Sequence, residues 1–181
     1  MKLYFVTGNE GKFKEFNSIL KSVVELEMLN GDVPEIQSLD THEVLKEKAL
    51  AAAKMYPQKQ ILVEDTSLTF EALNNKLPGP FIKWFLKSLT FDEIYSLCDA
   101  RKKYGAIATV TIGHYDGIEF NFFEGTIKGT ITSPKGTNGM QWDKIFVPEG
   151  YNKTFAQMSS EEKNSISMRK KALEKLKSFL N

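Results

Sequence analysis

The first twenty residues constrain the fold more than any other stretch. An apolar run from Leu3 to Val6 passes into Thr7-Gly8-Asn9-Glu10-Gly11-Lys12, and an apolar stripe at helical spacing, Phe13, Phe16 and Leu20, follows at once. This predicts a strand, a polar turn and a helix. Two glycines let backbone amides approach a ligand, Thr7 and Asn9 add side-chain hydrogen bonds, and Lys12 adds a charge near the positive end of the helix. Such a turn suits a phosphate. It is not the Walker loop, because Phe13 stands where a magnesium-binding Ser or Thr would follow the lysine. A glycine turn between strand and helix also serves as a purely structural connection.

Further elements alternate in the same way. Val24 to Leu29 reads as a second strand, His42 to Tyr56 as a helix that stops before Pro57, and Gln60 to Val63 as a short buried strand ending in Glu64-Asp65. Leu77-Pro78-Gly79-Pro80 predicts a rigid turn that starts a helix, and Phe91 to Lys103 predicts another. After Tyr104 the signals become antiparallel. Ala106 to Ile112 alternates, Tyr115-Asp116-Gly117 is a hairpin turn, Ile118 to Phe123 returns, and Gly125 and Gly129 bracket a further short strand. Ser159 with Glu162 is a capping-box pattern, and Ala172, Leu173, Leu176 and Leu180 follow at helical spacing. The fold class is α/β, and no composition shift marks a linker, so residues 1–181 read as one domain.

A chain of 181 residues with 41% hydrophobic content can fill a sizeable core. Its net charge of +1 gives no field for DNA or another long polyanion. There is no charged leader before an apolar segment and no run long enough to span a bilayer, so the expectation is a soluble cytosolic protein. Cys98 is the single cysteine and excludes an internal disulfide; beside Ile94 it reads as packing.

Two acids and three lysines stand out. Asp65 closes a buried strand directly before Thr66, where open α/β sheets bind ligands. Glu64 and Asp65 point to opposite faces if the strand continues through both, so only one serves a given site. Glu35 could supply a second oxygen ligand to Mg²⁺, which takes one or two protein carboxylates plus phosphate and water. Solvated turn acids are the alternative. Lys12, Lys48 and Lys83 each read singly as surface charges, although Lys83 lies among Phe81, Ile82, Trp84 and Phe85. A triphosphate with Mg²⁺ would give all of them one purpose. Trp142-Asp143 offers an aromatic plane beside a carboxylate for a base, or an ordinary core residue.

Together, Thr7-Gly8-Asn9 with Lys12, Val63-Glu64-Asp65-Thr66, Leu77 to Phe85, Trp142-Asp143 with Phe146 and Pro148, and Glu162-Lys163-Asn164 leading to Ser167 and Arg169 resemble the inosine triphosphate pyrophosphatase family. The match runs nearly end to end. The resemblance implies an elongated mixed sheet flanked by helices, two lobes with a nucleotide cleft between them, and a homodimer. It also implies Mg²⁺-dependent hydrolysis of deaminated purine triphosphates, such as those of inosine (ITP, dITP) and xanthosine (XTP), to monophosphate and pyrophosphate. By residue, it puts Thr7, Gly8, Asn9 and Lys12 on the triphosphate, with Lys48 and Lys83 assisting, Thr66 among the substrate-binding residues, and Lys12 also in catalysis. Glu35 and Asp65 would hold the metal, with Asp65 also the general base. Met140, Gln141, Trp142, Asp143, Lys163, Met168 and Arg169 would address the base. The chain departs from the family twice: the common Phe-Gly-Trp-Asp is Met140-Gln141-Trp142-Asp143, and Ser-His-Arg is Ser167-Met168-Arg169.

Two other classes remain: a nucleotide-binding module or sensor without turnover, and a Ser or Cys hydrolase, for which His42 and His114 lack any nucleophile motif. Finally, Lys163 and Arg169 would lie roughly 240° apart around one helix, at about 100° per residue, and could not share a ligand. A break near Ser167, which can cap a second helix, is therefore expected.

Overall fold

A computed structural model describes residues 1–31, 33–139 and 141–181. The chain opens as β1 (Lys2–Val6), α1 (Glu10–Leu20), β2 (Glu25–Leu29), α2 (Thr41–Met55) and β3 (Ile61–Phe70). It continues with β4 (Pro78–Gly79), α3 (Ile82–Ser88), α4 (Phe91–Asp99), β5 (Gly105–Tyr115), β6 (Phe120–Ile131), β7 (Phe146–Pro148), α5 (Ser160–Ile166) and α6 (Met168–Leu180). The strands form one open mixed sheet in the order β2-β1-β3-β5-β6-β7, with β4 paired to β3. β1 is parallel to both β2 and β3, while β4 on β3 and β7 on β6 are antiparallel.

Two compact units divide the chain. The first comprises residues 1–65, 110–125 and 171–181, the second residues 66–109 and 126–170. In the first, the apolar stripe of α1 packs on β1 through Phe16, whose ring stacks 4.0 Å from Phe5. The Ala and Leu face of α2 (Leu45, Ala49, Ala52) packs with Val6, Leu29, Ile61 and Val63. Burial of these side chains, each worth about 1.5–3 kcal/mol for the larger ones, fixes β1 and β3 side by side and so sets the turn after β1 near Glu64 and Asp65. In the second unit, Trp142, Phe146 and Phe155 form an aromatic cluster with centroids 5.3–6.1 Å apart. Cys98 is fully buried, as its helical position predicts.

Four element boundaries differ from expectation. β3 does not end at Asp65 but runs on to Phe70, because Thr66, Thr69 and Phe70 favour a strand and β4 supplies partners to Leu68 and Thr69. Asp65 is therefore in mid-strand. Gly125 and Gly129 lie within the single strand β6. Gly129 marks a close approach instead: a Cβ there would strike the Val147 carbonyl and the Phe146 ring of β7. α4 stops at Asp99, and Lys102 then takes the left-handed conformation. The hairpin after β5 is held by Asp116 Oδ1, which accepts the N–H groups of Ile118 and Glu119 at 2.8 Å; β6 accordingly starts at Phe120 and leaves Ile118 in solvent. The predicted break at Ser167 is present. Its backbone is extended between α5 and α6, and its Oγ accepts the N–H of Lys170 at 3.1 Å.

Candidate active site

The turn after β1 is stitched by its own side chains. Asn9, the N-cap of α1, accepts the N–H of Lys12 on Oδ1 at 3.0 Å, and its own N–H donates to Thr7 Oγ1 at 3.1 Å. A Cβ on Gly8 would meet no atom within 4 Å, so this glycine leaves open space beside the turn. A helix N-terminus beside such a space is a common setting for an anion.

Beside the turn stand four charged side chains of the same unit. Lys12 Nζ donates to Glu64 Oε2 at 2.6 Å, and Lys48 Nζ, from α2, donates to Glu35 Oε1 at 2.9 Å. Near both pairs is Asp65, whose Oδ2 is buried with no hydrogen-bond partner among the described residues. Burial pushes its carboxyl up to about 6, with the negative charges of Glu64 and Glu35 adding to the shift and Lys12 and Lys48 opposing it. Among the described residues no three His, Cys, Asp or Glu side chains converge as a metal cage. Magnesium does not need one: the buried, unsatisfied oxygen of Asp65 near the carboxylate of Glu35 fits its preference for one or two protein oxygens.

The residues expected at the base lie in the second unit. Lys163 Nζ donates to Asp143 Oδ2 at 2.6 Å and stands 5.3 Å from the centroid of Phe155. The loop before Asp143 approaches it closely: Gly139 has φ +75°, and a Cβ there would overlap the Asp143 carboxylate. Trp142 is buried against Phe146 and Phe155, so its ring is part of the core instead of an open stacking plane. Gln141 is exposed and left-handed, at φ +61°, where the family pattern has glycine. Met168 is buried at the first position of α6, with Arg169 next to it. Met140 lies outside the described residues.

Thr66 follows Asp65 in β3, in the second unit. Lys83 is exposed in the first turn of α3, and of its four apolar neighbours only Ile82 is buried while Trp84 is half exposed. It therefore reaches water without having to snorkel. The sequence reading allows a given site only one of Glu64 and Asp65; β3 does run through both, yet Glu64 bonds Lys12 while Asp65 feels the charges of Lys12 and Lys48, a pairing that reading does not foresee. The signal was present: a charge in the middle of Leu62-Val63-Glu64-Asp65, where a fully buried strand tolerates one only if it is paired. A groove of about 470 Å³ beside Ile107, Lys128 and Tyr151 includes none of these residues.

Residues 3–179 match the model of the Ham1 family. A Yarrowia lipolytica protein named inosine triphosphate pyrophosphatase is 45% identical over 183 residues, covering 99% of this chain and 96% of that protein. A Schizosaccharomyces pombe protein of the same name is 41% identical, with coverage of 98% and 94%. Of solved structures, a HAM1 protein from Coxiella burnetii superposes with a TM-score of 0.89 at 26% identity, covering 99% of this chain and 98% of that one. The nucleoside-triphosphatase (dITP/XTP pyrophosphatase) of Mycobacterium abscessus gives 0.77 at 27% identity, with 97% and 98% covered.

Proposed function

The chain belongs to the Ham1 family, and from that premise we propose that it hydrolyses non-canonical purine nucleoside triphosphates, those of inosine and xanthosine, to the monophosphate and pyrophosphate. The observation that carries this reading is the Asp65 carboxylate, one oxygen of which is buried with no hydrogen-bond partner among the described residues, beside two lysines and a helix N-terminus. Hydrolysis of a phosphoanhydride uses that combination: a carboxylate that can accept a proton and fixed positive charge for the phosphates.

In this mechanism the amides after Thr7, together with Lys12 and Lys48, bind the phosphate chain. The family resemblance also assigns Thr66 and Lys83 to substrate binding. Asp65 accepts a proton from the attacking water as it approaches the α-phosphorus, and pyrophosphate departs. Asp65 and Glu35 would hold Mg²⁺, which when bound supplies positive charge to the phosphate oxygens. Lys163 is a donor-only group, so it suits a 6-oxo edge better than a 6-amino edge. Met140, Gln141, Met168 and Arg169 are assigned to the surroundings of the base, and Trp142 supports them from the core. We further propose a cytosolic homodimer; among the described residues no helix is long and apolar enough to cross a membrane.

Steady-state rates with Mg²⁺ and the triphosphates of inosine, xanthosine, guanosine and adenosine test the proposal. The expected result is higher kcat/KM for the first two. Equal rates for all four would contradict the substrate class, and tight binding of inosine triphosphate without products would make the protein a nucleotide-binding module instead.

A further inference from the structure

Glu64 is a carboxylate inside an apolar strand, and its side chain is 1% exposed. Lys12, 2.6 Å from its Oε2, is 27% exposed. The ammonium is thus the outer member of the pair and the carboxylate the inner one. The backbone of Lys12 is fixed separately, by the Asn9 side chain that accepts its N–H. Both ends of this lysine are therefore held. That is unusual for a lysine, whose four-carbon stem otherwise makes it a mobile point charge. The ammonium has three N–H groups, and the bond to Glu64 leaves two for other acceptors.

We propose that Glu64 is a positioning residue for Lys12: it anchors the ammonium beside the turn after β1, so that Lys12 meets the phosphate chain already oriented. The inference rests on the assignment of Lys12 to the phosphates. Glu64 does not itself touch the nucleotide. Its contribution is that the binding event need not order the lysine, a saving that is lost when the carboxylate is replaced by an amide of the same shape. The effect requires Lys12, so it disappears in a protein that lacks it.

The test uses inorganic tripolyphosphate as the probe, with the whole metal-free protein in chelator, and reads affinity by calorimetry and the Lys12 side-chain ¹⁵Nζ signal by NMR. Four proteins are compared: the parent, Glu64→Asp, Glu64→Gln, and Glu64→Gln combined with Lys12→Met. The last variant removes both charges together and so leaves no buried charge without the Lys12 ammonium. Glu64→Gln is expected to weaken binding roughly tenfold and Glu64→Asp by less than about threefold, and deleting Lys12 from the Gln variant should cost less than about threefold more. The slowly exchanging Lys12 ammonium signal of the parent should be lost in Glu64→Gln. Unchanged or tighter binding in Glu64→Gln, or a large further loss when Lys12 is then removed, overturns the role of Glu64. Failure of the parent itself to bind tripolyphosphate contradicts the phosphate assignment of Lys12 instead.

Discussion

Lys163 Nζ lies 2.6 Å from Asp143 Oδ2, with the carboxylate side chain 4% exposed and the lysine 27%. The asymmetry decides what each partner does. Asp143 cannot turn to water, whereas Lys163 can. Removing the cation takes from a buried carboxylate its partner at 2.6 Å, whereas removing the anion lets the half-buried lysine find solvent. Lys163→Met should therefore lower stability in urea by more than Asp143→Asn does, about 2 kcal/mol against about 1 kcal/mol. Equal losses would mean that the pair is not divided into a buried and an exposed member.

Gln141 carries a left-handed backbone, φ +61°, that a side chain disfavours. Glycine there removes the Cβ contact with the backbone that costs L residues on the order of 1 kcal/mol. Gln141→Gly is expected to raise thermal stability modestly. A variant less stable than the parent would show that the Gln141 side chain contributes more than its backbone strain removes.

Asp65 gives a stability cost and an activity in the same residue. Its carboxyl is raised to about 6 in the folded protein, against an ordinary value of 3.8, so the folded state holds a proton that the unfolded state releases across that window. Stability therefore falls as pH rises from about 4 to about 6, and the penalty is fully present above pH 6. Asp65→Asn should abolish turnover and yet be more stable than the parent at pH 7.5, by roughly 1–3 kcal/mol in metal-free buffer. The gain should shrink as pH falls through 6 towards 4. Denaturation curves of both proteins at several pH values check this, and a variant of equal or lower stability at pH 7.5 would remove the strain from the account.

His114 has the opposite pH signature. Its ring is buried, Nδ1 has no partner among the described residues, Nε2 is 3.4 Å from Gln60 Oε1, and the Phe179 ring of α6 meets it edge-on at 5.9 Å. Burial lowers its pKa from 6.5, against a smaller opposing effect of Asp116. The folded protein keeps it neutral, so stability drops as pH falls below 6.5, where the unfolded chain gains a proton and the native one does not. His114→Phe should remove this component: the difference in stability between variant and parent should move in the variant's favour from pH 7 to pH 5.5. A pH-independent difference would mean that His114 titrates alike in both states.

Much of this was legible in the sequence because the signals were local. The strand, turn and helix at residues 3–20 follow from apolar spacing, and the break at Ser167 follows from the angular separation of Lys163 and Arg169. The extension of β3 past Asp65 was not legible, since it depends on β4, a two-residue partner at Pro78–Gly79 reached only in three dimensions. The pairing of Lys12 with Glu64 spans 52 positions and leaves no periodic trace. Trp142 shows the same limit: whether an aromatic beside a carboxylate stacks on a ligand or on Phe146 and Phe155 is decided by tertiary packing.

The central claim is attack of water at the α-phosphorus of a 6-oxopurine triphosphate, and hydrolysis of inosine triphosphate in ¹⁸O-enriched water with Mg²⁺ tests it most directly. The account predicts inosine monophosphate carrying one ¹⁸O atom and unlabelled pyrophosphate, with neither product formed by Asp65→Asn. Inosine diphosphate with labelled inorganic phosphate, or label in the pyrophosphate, would contradict it.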